Sequence, residues 1–200
     1  MTSQQIHKLV LHPRDANFAL TSWDELIARL REVAFLDEKL GEQLDQLLIK
    51  NKQNRFLVGE QFLQYMTFMG CSPAVDLTPP TDGSLDFCHI HFSEIAPETQ
   101  FRCASQNVFA CCPQCRKRIS KWSQAVSKWS NDSSAINFNC DKCAEQVSLY
   151  QLGWRHTAGF ARMFIDIYSI YPQEVIPTDQ FFSLLETQTA AQWDYFFTDQ

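Results

Sequence analysis

Four cysteines stand in two close pairs, Cys112-Pro113-Gln114-Cys115 and Cys140-Asp141-Lys142-Cys143, with the 24 residues 116–139 between them. A two-residue gap lets a tight turn point both sulfurs at one ion. Two such turns brought together supply the four-sulfur tetrahedron that zinc prefers. Every position would be filled by protein sulfur, leaving none for water or substrate. The expected role of one zinc ion is therefore structural rather than catalytic. The other four cysteines, Cys71, Cys88, Cys103 and Cys111, share no such spacing. They read as buried free thiols, since unpaired cysteine behaves as a small hydrophobe.

Cys-Pro-x-Cys followed by Cys-x-x-Cys resembles the zinc ribbons, over about a quarter of the chain. The gap is longer than the roughly 15–20 residues of the usual pattern, so the resemblance implies a ribbon carrying an extra element. The remainder of the chain carries no family resemblance. Cys-Pro-x-Cys also resembles the glutaredoxin motif, and Val175-Ile176-Pro177 faintly echoes the proline segment of such folds. That motif opens a βαβ unit, whereas here it lies past the middle of the chain and a second pair follows it. Metal is the better reading than a redox dithiol.

The segment between the pairs holds a near-repeat, Ser120-Lys121-Trp122-Ser123 and Ser127-Lys128-Trp129-Ser130. Two helical turns fall about 20° from a heptad, so on a helix Trp122 and Trp129 share a face; on a strand an odd offset would part them. Ile119, Trp122, Val126 and Trp129 complete a helical stripe, which predicts a helix from about Ser120 to Trp129, ended by Asn131-Asp132-Ser133-Ser134. Arg102, Arg116, Lys117, Arg118, Lys121 and Lys128 make the stretch 101–130 basic, with no Asp or Glu in it. The rest of the chain holds 11 basic and 23 acidic residues. Basic charge beside exposed rings is how nucleic acid is held. Two facts weigh against that reading: a zinc tetrathiolate adds formal charge −2, and the acidic remainder repels a polyanion. A Trp stripe at helical spacing also packs inward more often than it faces out. Arg116, Lys117, Arg118, Lys121, Lys128, Trp122 and Trp129 are thus candidate contacts to nucleic acid or a partner.

Cys88-His89-Ile90-His91-Phe92 reads as a strand. His89 and His91 then project from one face about 7 Å apart, close enough to share a metal if a third ligand joined them, and His156 is the only downstream histidine. In the plainer reading Cys88, Ile90 and Phe92 face the core while the histidines face outward or into a groove. No glycine-rich phosphate loop, Gly-x-Ser-x-Gly or His-Glu-x-x-His occurs.

These residues need a scaffold. Strands are expected at Ile6–Leu11, Arg55–Gly59, Phe62–Met69, Leu85–Phe92, Gln146–Leu152 and Arg162–Tyr171, with residues 78–83 a loop. Ser22-Trp23-Asp24-Glu25 has the form of a capping box. It would open a helix whose stripe is Trp23, Leu26, Ile27, Leu30, Val33 and Ala34. Leu40, Leu44, Leu47 and Leu48 predict a second helical stretch. Thr178 suits the N-cap of a helix carrying Phe181, Phe182, Leu184 and Leu185. The aromatics Trp193, Tyr195, Phe196 and Phe197 are expected to dock on the core. A hydrophobic fraction of 45% and a charged fraction of 20% exclude disorder. Apolar runs are too short to span a membrane, and the first residues lack the apolar stretch of a secretory signal.

The expectation is a cytoplasmic α+β protein. A discontinuous domain, 1–101 and 151–200, would have a largely antiparallel sheet with N- and C-terminal helices. A zinc ribbon would be inserted at 102–150. A non-catalytic binding or adaptor protein with a protein partner is the leading functional expectation. RNA or DNA binding through the basic ribbon is an alternative, as is a metal-dependent enzyme using His89 and His91.

Overall fold

The structure, a computed structural model, describes residues 7–40, 54–68, 75–80, 84–172 and 175–199. Its largest element is a six-stranded antiparallel sheet. In chain order its strands are β1 (Lys8–Pro13), β2 (Leu36–Lys39), β3 (Arg55–Val58), β5 (His89–Phe92), β10 (Ile165–Tyr168) and β12 (Trp193–Thr198), in the spatial order β12-β1-β10-β5-β3-β2. Three two-stranded sheets complete the β structure: β4 (Met66–Phe68) with β11 (Val175–Pro177), β6 (Gln100–Cys103) with β9 (Ala158–Ala161), and β7 (Asn137–Asn139) with β8 (Gln146–Ser148). Four α-helices lie among the described residues: α1 (Asp24–Glu32), α2 (Phe62–Tyr65), α3 (Trp122–Asn131) and α4 (Asp179–Thr189). None is long and apolar enough to cross a membrane. The molecule is a mixed α and β protein with a large antiparallel sheet, as expected.

Alternation along the strands sorts side chains to two faces. One face carries Leu9, Leu11, Phe56, Ile90, Phe92, Ile165 and Ile167, and packs with Leu26 and Leu30 of α1 and Phe181 and Leu185 of α4 into the main core. Phe35 stacks on Phe181 there, with ring centroids 4.3 Å apart. The other face is covered over part of its area. Val10 and Phe196 meet Ala161 and Phe164 in a second layer, and β9 lies so close that a Cβ on Gly159 would stand 2.5 Å from His12 Nε2. Only glycine permits that approach.

Several elements differ from expectation. Ser22 does not cap α1. Its Oγ accepts from the Asp24 N–H at 3.4 Å, while Trp23 occupies the N-cap position and its indole Nε1 donates to Ser93 O at 2.7 Å. The helix stops at Glu32 because Ala34 turns to φ 53°. Its carbonyl accepts from Gln61, and a Cβ on Gly59 would stand 2.2 Å from that oxygen. This contact also explains why Phe62–Met69 is not one strand: the turn at Gly59–Gln61 starts α2, which buries Phe62 beside Phe35, and the chain extends only from Met66. Residues 36–39 form a strand between the two expected helical stretches, and Leu44, Leu47 and Leu48 of the second lie outside the described residues. The strand expected over Leu85–Phe92 is confined to its last four residues, and Gln146–Leu152 turns into a short 3₁₀ turn at Leu149. Thr178 caps α4 as expected, accepting from the Phe181 N–H at 3.2 Å. The terminal aromatics do more than dock, since β12 pairs with β1 along its whole length.

Candidate metal centre

The first cysteine pair closes a small hairpin. Ile119 N–H donates to Ala110 O at 2.8 Å, and Cys112 N–H donates to Lys117 O at 3.0 Å. The Arg116 N–H returns to Cys112 O at 2.9 Å. The second pair repeats this bond for bond at the tip of the β7–β8 hairpin: Cys140 N–H to Glu145 O and Ala144 N–H to Cys140 O, both 2.9 Å. Arg116 and Ala144, each following a second cysteine, take positive φ, 58° and 62°. That reversal returns the chain to its hairpin arm, and the spacing alone did not reveal it.

The two tips bring all four sulfurs within 4.8 Å of one another. Cys112 Sγ lies 3.8 Å from Cys143 Sγ, and Cys115 Sγ lies 4.0 Å from Cys140 Sγ. A tetrahedron with metal–sulfur bonds of about 2.3 Å has edges of about 3.8 Å, so the cluster has the size of one four-thiolate site. These distances are far from the ~2.05 Å of a disulfide, and the four thiols are free. Among the described residues no other group of three or more His, Cys, Asp or Glu has this geometry.

Proton affinities within the cluster separate. Backbone N–H groups of Cys115 and Gln114 aimed at Cys112 lower its thiol to about 7. At Cys143 the Glu145 N–H acts in the same direction, but burial and the three neighbouring thiols outweigh it and raise the group to about 12. Four thiolates at this spacing repel one another, and a divalent cation removes that repulsion. The donor set and its size fit one metal ion.

Around the centre lies a second hydrophobic core. It gathers Cys112, Ile119, Ala125, Val126, Trp129, Cys140, Val147 and Leu149 with Ala16, Leu152, Trp154, Ala158 and Phe160. The helix expected between the pairs is present as α3. Trp129 is buried, with Nε1 donating to Tyr150 Oη at 3.1 Å and its ring edge-on to Phe160 at 5.0 Å. Trp122 is half-buried on the same side, edge-on to Trp154 at 5.6 Å. Arg116, Lys117, Arg118, Lys121 and Lys128 are all exposed, and Arg118 lies over the Phe109 ring at 4.3 Å. The charges and the indoles thus point different ways.

His89 and His91 do share one sheet face, but among the described residues no metal-ligating group forms around them. His89 is fully buried rather than outward-facing. Its Nδ1 donates to Phe87 O at 2.9 Å, leaving Nε2 as the acceptor for Arg55 Nη1 at 2.8 Å. Both ring nitrogens are occupied, and burial lowers its pKa to about 4. Tyr168 stacks on the ring at 4.3 Å and receives Arg55 Nη2 at 3.2 Å. His91 turns its Nδ1 to Asp166 Oδ2 at 3.3 Å, and Arg102 Nη1 lies 3.3 Å from the other oxygen. Burial alone would raise the Asp166 carboxyl, but the His91 hydrogen bond and the Arg102 charge hold it below its ordinary value. The sequence reading missed Asp166; its signal is one acid in an otherwise apolar strand. Cys88 is buried, Cys103 and Cys111 are half-buried, and Cys71 lies outside the described residues. No protein-family model, curated protein or solved structure matches this chain.

Proposed function

We propose that the chain is a zinc-ribbon-containing binding or adaptor protein in which Cys112, Cys115, Cys140 and Cys143 hold one structural zinc ion. The observation that carries this reading is the convergence of four sulfurs, from two matching hairpin tips, within 4.8 Å. All-sulfur tetrahedral sites favour zinc or iron–sulfur chemistry, and a single four-cysteine cluster that leaves no open position suits a structural zinc. The segment 102–150 is the inserted unit, and 1–101 with 151–200 is the α+β domain. The recognised partner is a protein, approached by the exposed Arg116, Lys117, Arg118, Lys121 and Lys128. Against base stacking as the mode of recognition stands the inward packing of Trp129 and the partial burial of Trp122. The enzyme reading through His89 and His91 loses its footing because His89 has no free nitrogen.

Elemental analysis of protein purified without chelator should find one zinc per chain. Cys112→Ser or Cys140→Ser should lose the metal and raise amide exchange through 102–150, while the six-stranded sheet keeps its protection. Metal-free protein with an accessible Cys112–Cys115 disulfide would sink the reading.

A further inference from the structure

We propose that His91, Arg102 and Lys8 form a binding site for the phosphate group of a small molecule on the second face of the six-stranded sheet. Three strands supply the three groups, and β10 supplies the carboxylate that organises them. Register places Asp166 opposite His91 and Tyr168 opposite Lys8. His91 Nδ1 and Arg102 Nη1 both rest on the Asp166 carboxylate, at 3.3 Å each, so the imidazole and the guanidinium are held on either side of one buried group. Asp166 uses only one nitrogen of each. Among the described residues, His91 Nε2 and the Nε and Nη2 of Arg102 have no hydrogen-bond partner, and the His91 side chain keeps 19% of its surface. Lys8 Nζ lies 4.7 Å above the Tyr168 ring and meets no carboxylate among the described residues. Open donors from an imidazole, a guanidinium and an ammonium thus border one rigid floor.

A purely structural clamp on Asp166 would need only one cation. Here two fixed cations and a titratable imidazole surround one acid, in a chain of net charge −6. Such a local excess attracts anions. A tetrahedral oxyanion with several acceptor oxygens can take bonds from donors on three strands at once, and arginine's planar fork suits phosphate. With Nδ1 given to Asp166, only the doubly protonated His91 ring donates through Nε2, so the bound anion and the imidazolium favour one another. The groups facing it are Asp166 and Tyr168 from β10, Arg55 from β3, His89 on its own strand, Lys8 from β1 and Arg102 from β6. The site shares no residue with the four cysteines, so its failure leaves the zinc reading untouched.

The test is a long-range proton–nitrogen NMR titration of the imidazoles in the full, zinc-loaded chain at constant ionic strength. One arm uses inorganic phosphate and the other a nucleoside monophosphate. Saturable shifts at His91, a dissociation constant on the order of 1 mM and an upward move of the His91 titration midpoint are expected. Tighter binding of the nucleotide would assign the phosphate to a nucleotide ligand, and equal binding to free phosphate. Lys8→Gln removes no hydrogen bond or ion pair among the described residues, so it should fold normally and weaken binding about fivefold or more. His91→Gln should remove the part of the pH dependence that belongs to the imidazole, leaving only that of the phosphate's own second ionisation. Shifts that never saturate, shifts reproduced by equal chloride, or unchanged affinity in Lys8→Gln would overturn the proposal.

Discussion

Arg116 and Ala144 adopt a backbone conformation that costs a side-chain-bearing residue roughly 1–2 kcal/mol, while glycine takes it freely. Glycine's larger unfolded-state entropy takes back about 0.4–1 kcal/mol. Arg116→Gly and Ala144→Gly should each stabilise the metal-loaded protein by up to about 1 kcal/mol in thermal unfolding. A branched residue at either position, such as Ala144→Val, should instead destabilise it. His89 makes a second single-residue prediction. Its folded pKa of about 4 lies below the ordinary 6.5. Between those values the unfolded chain binds a proton that the folded chain refuses, so stability falls as pH drops through the window. The loss approaches about 3 kcal/mol at the acid end. Urea unfolding of His89→Gln at pH 7 and at pH 4.5 should show a shallower decline than the parent protein. Identical declines would show that the ring stays uncharged for no energetic reason.

At the scale of elements, α3 is the clearest case. Its sequence period set Trp122 and Trp129 on one side, and the structure uses that side to build a core rather than an exposed patch. Trp129→Ala removes a buried ring and its hydrogen bond to Tyr150, and should cost about 3–5 kcal/mol. Trp122 is half-exposed, so Trp122→Ala should cost about half as much. Thermal denaturation of both variants measures the difference, and equal near-zero costs would mean the stripe packs on nothing. The same packing changes the reason for a metal. The segment around the cysteines has its own aromatic core, with Phe101, Trp154 and Phe160 alongside the two indoles. The proposed zinc would pin two hairpin tips on an existing core instead of substituting for one.

Across the whole molecule, charge decides what the exposed basic residues meet. With 17 basic and 23 acidic side chains the chain repels a long polyanion, and the inward indoles remove the stacking that would compensate. Single-stranded RNA or DNA should bind no more tightly than about micromolar at physiological salt. Replacing Arg116, Lys117 and Arg118 together by Gln should flatten what salt dependence there is. A sub-micromolar, salt-sensitive dissociation constant would reverse the ranking of protein over nucleic-acid partner.

The parts of this protein legible in its sequence are those specified over a few residues. Two-residue gaps brought Cys112 and Cys115, and Cys140 and Cys143, to hairpin tips. Helical periodicity announced α3, and Thr178 announced α4. These features rest on local geometry, which a short window contains. What the tertiary structure decided involves partners far apart in the chain. His91 meets Asp166 across 75 positions, and Arg102 reaches the same acid across 64. Alternation in Cys88–Phe92 told which residues share a face, but not that the second face would be covered and His89 fully buried. A strand's sequence carries its own period and not the identity of the layer laid over it. Likewise Phe62–Met69 has the composition of a strand, and only the contact between Gly59 and the Ala34 carbonyl turns its first half into a helix.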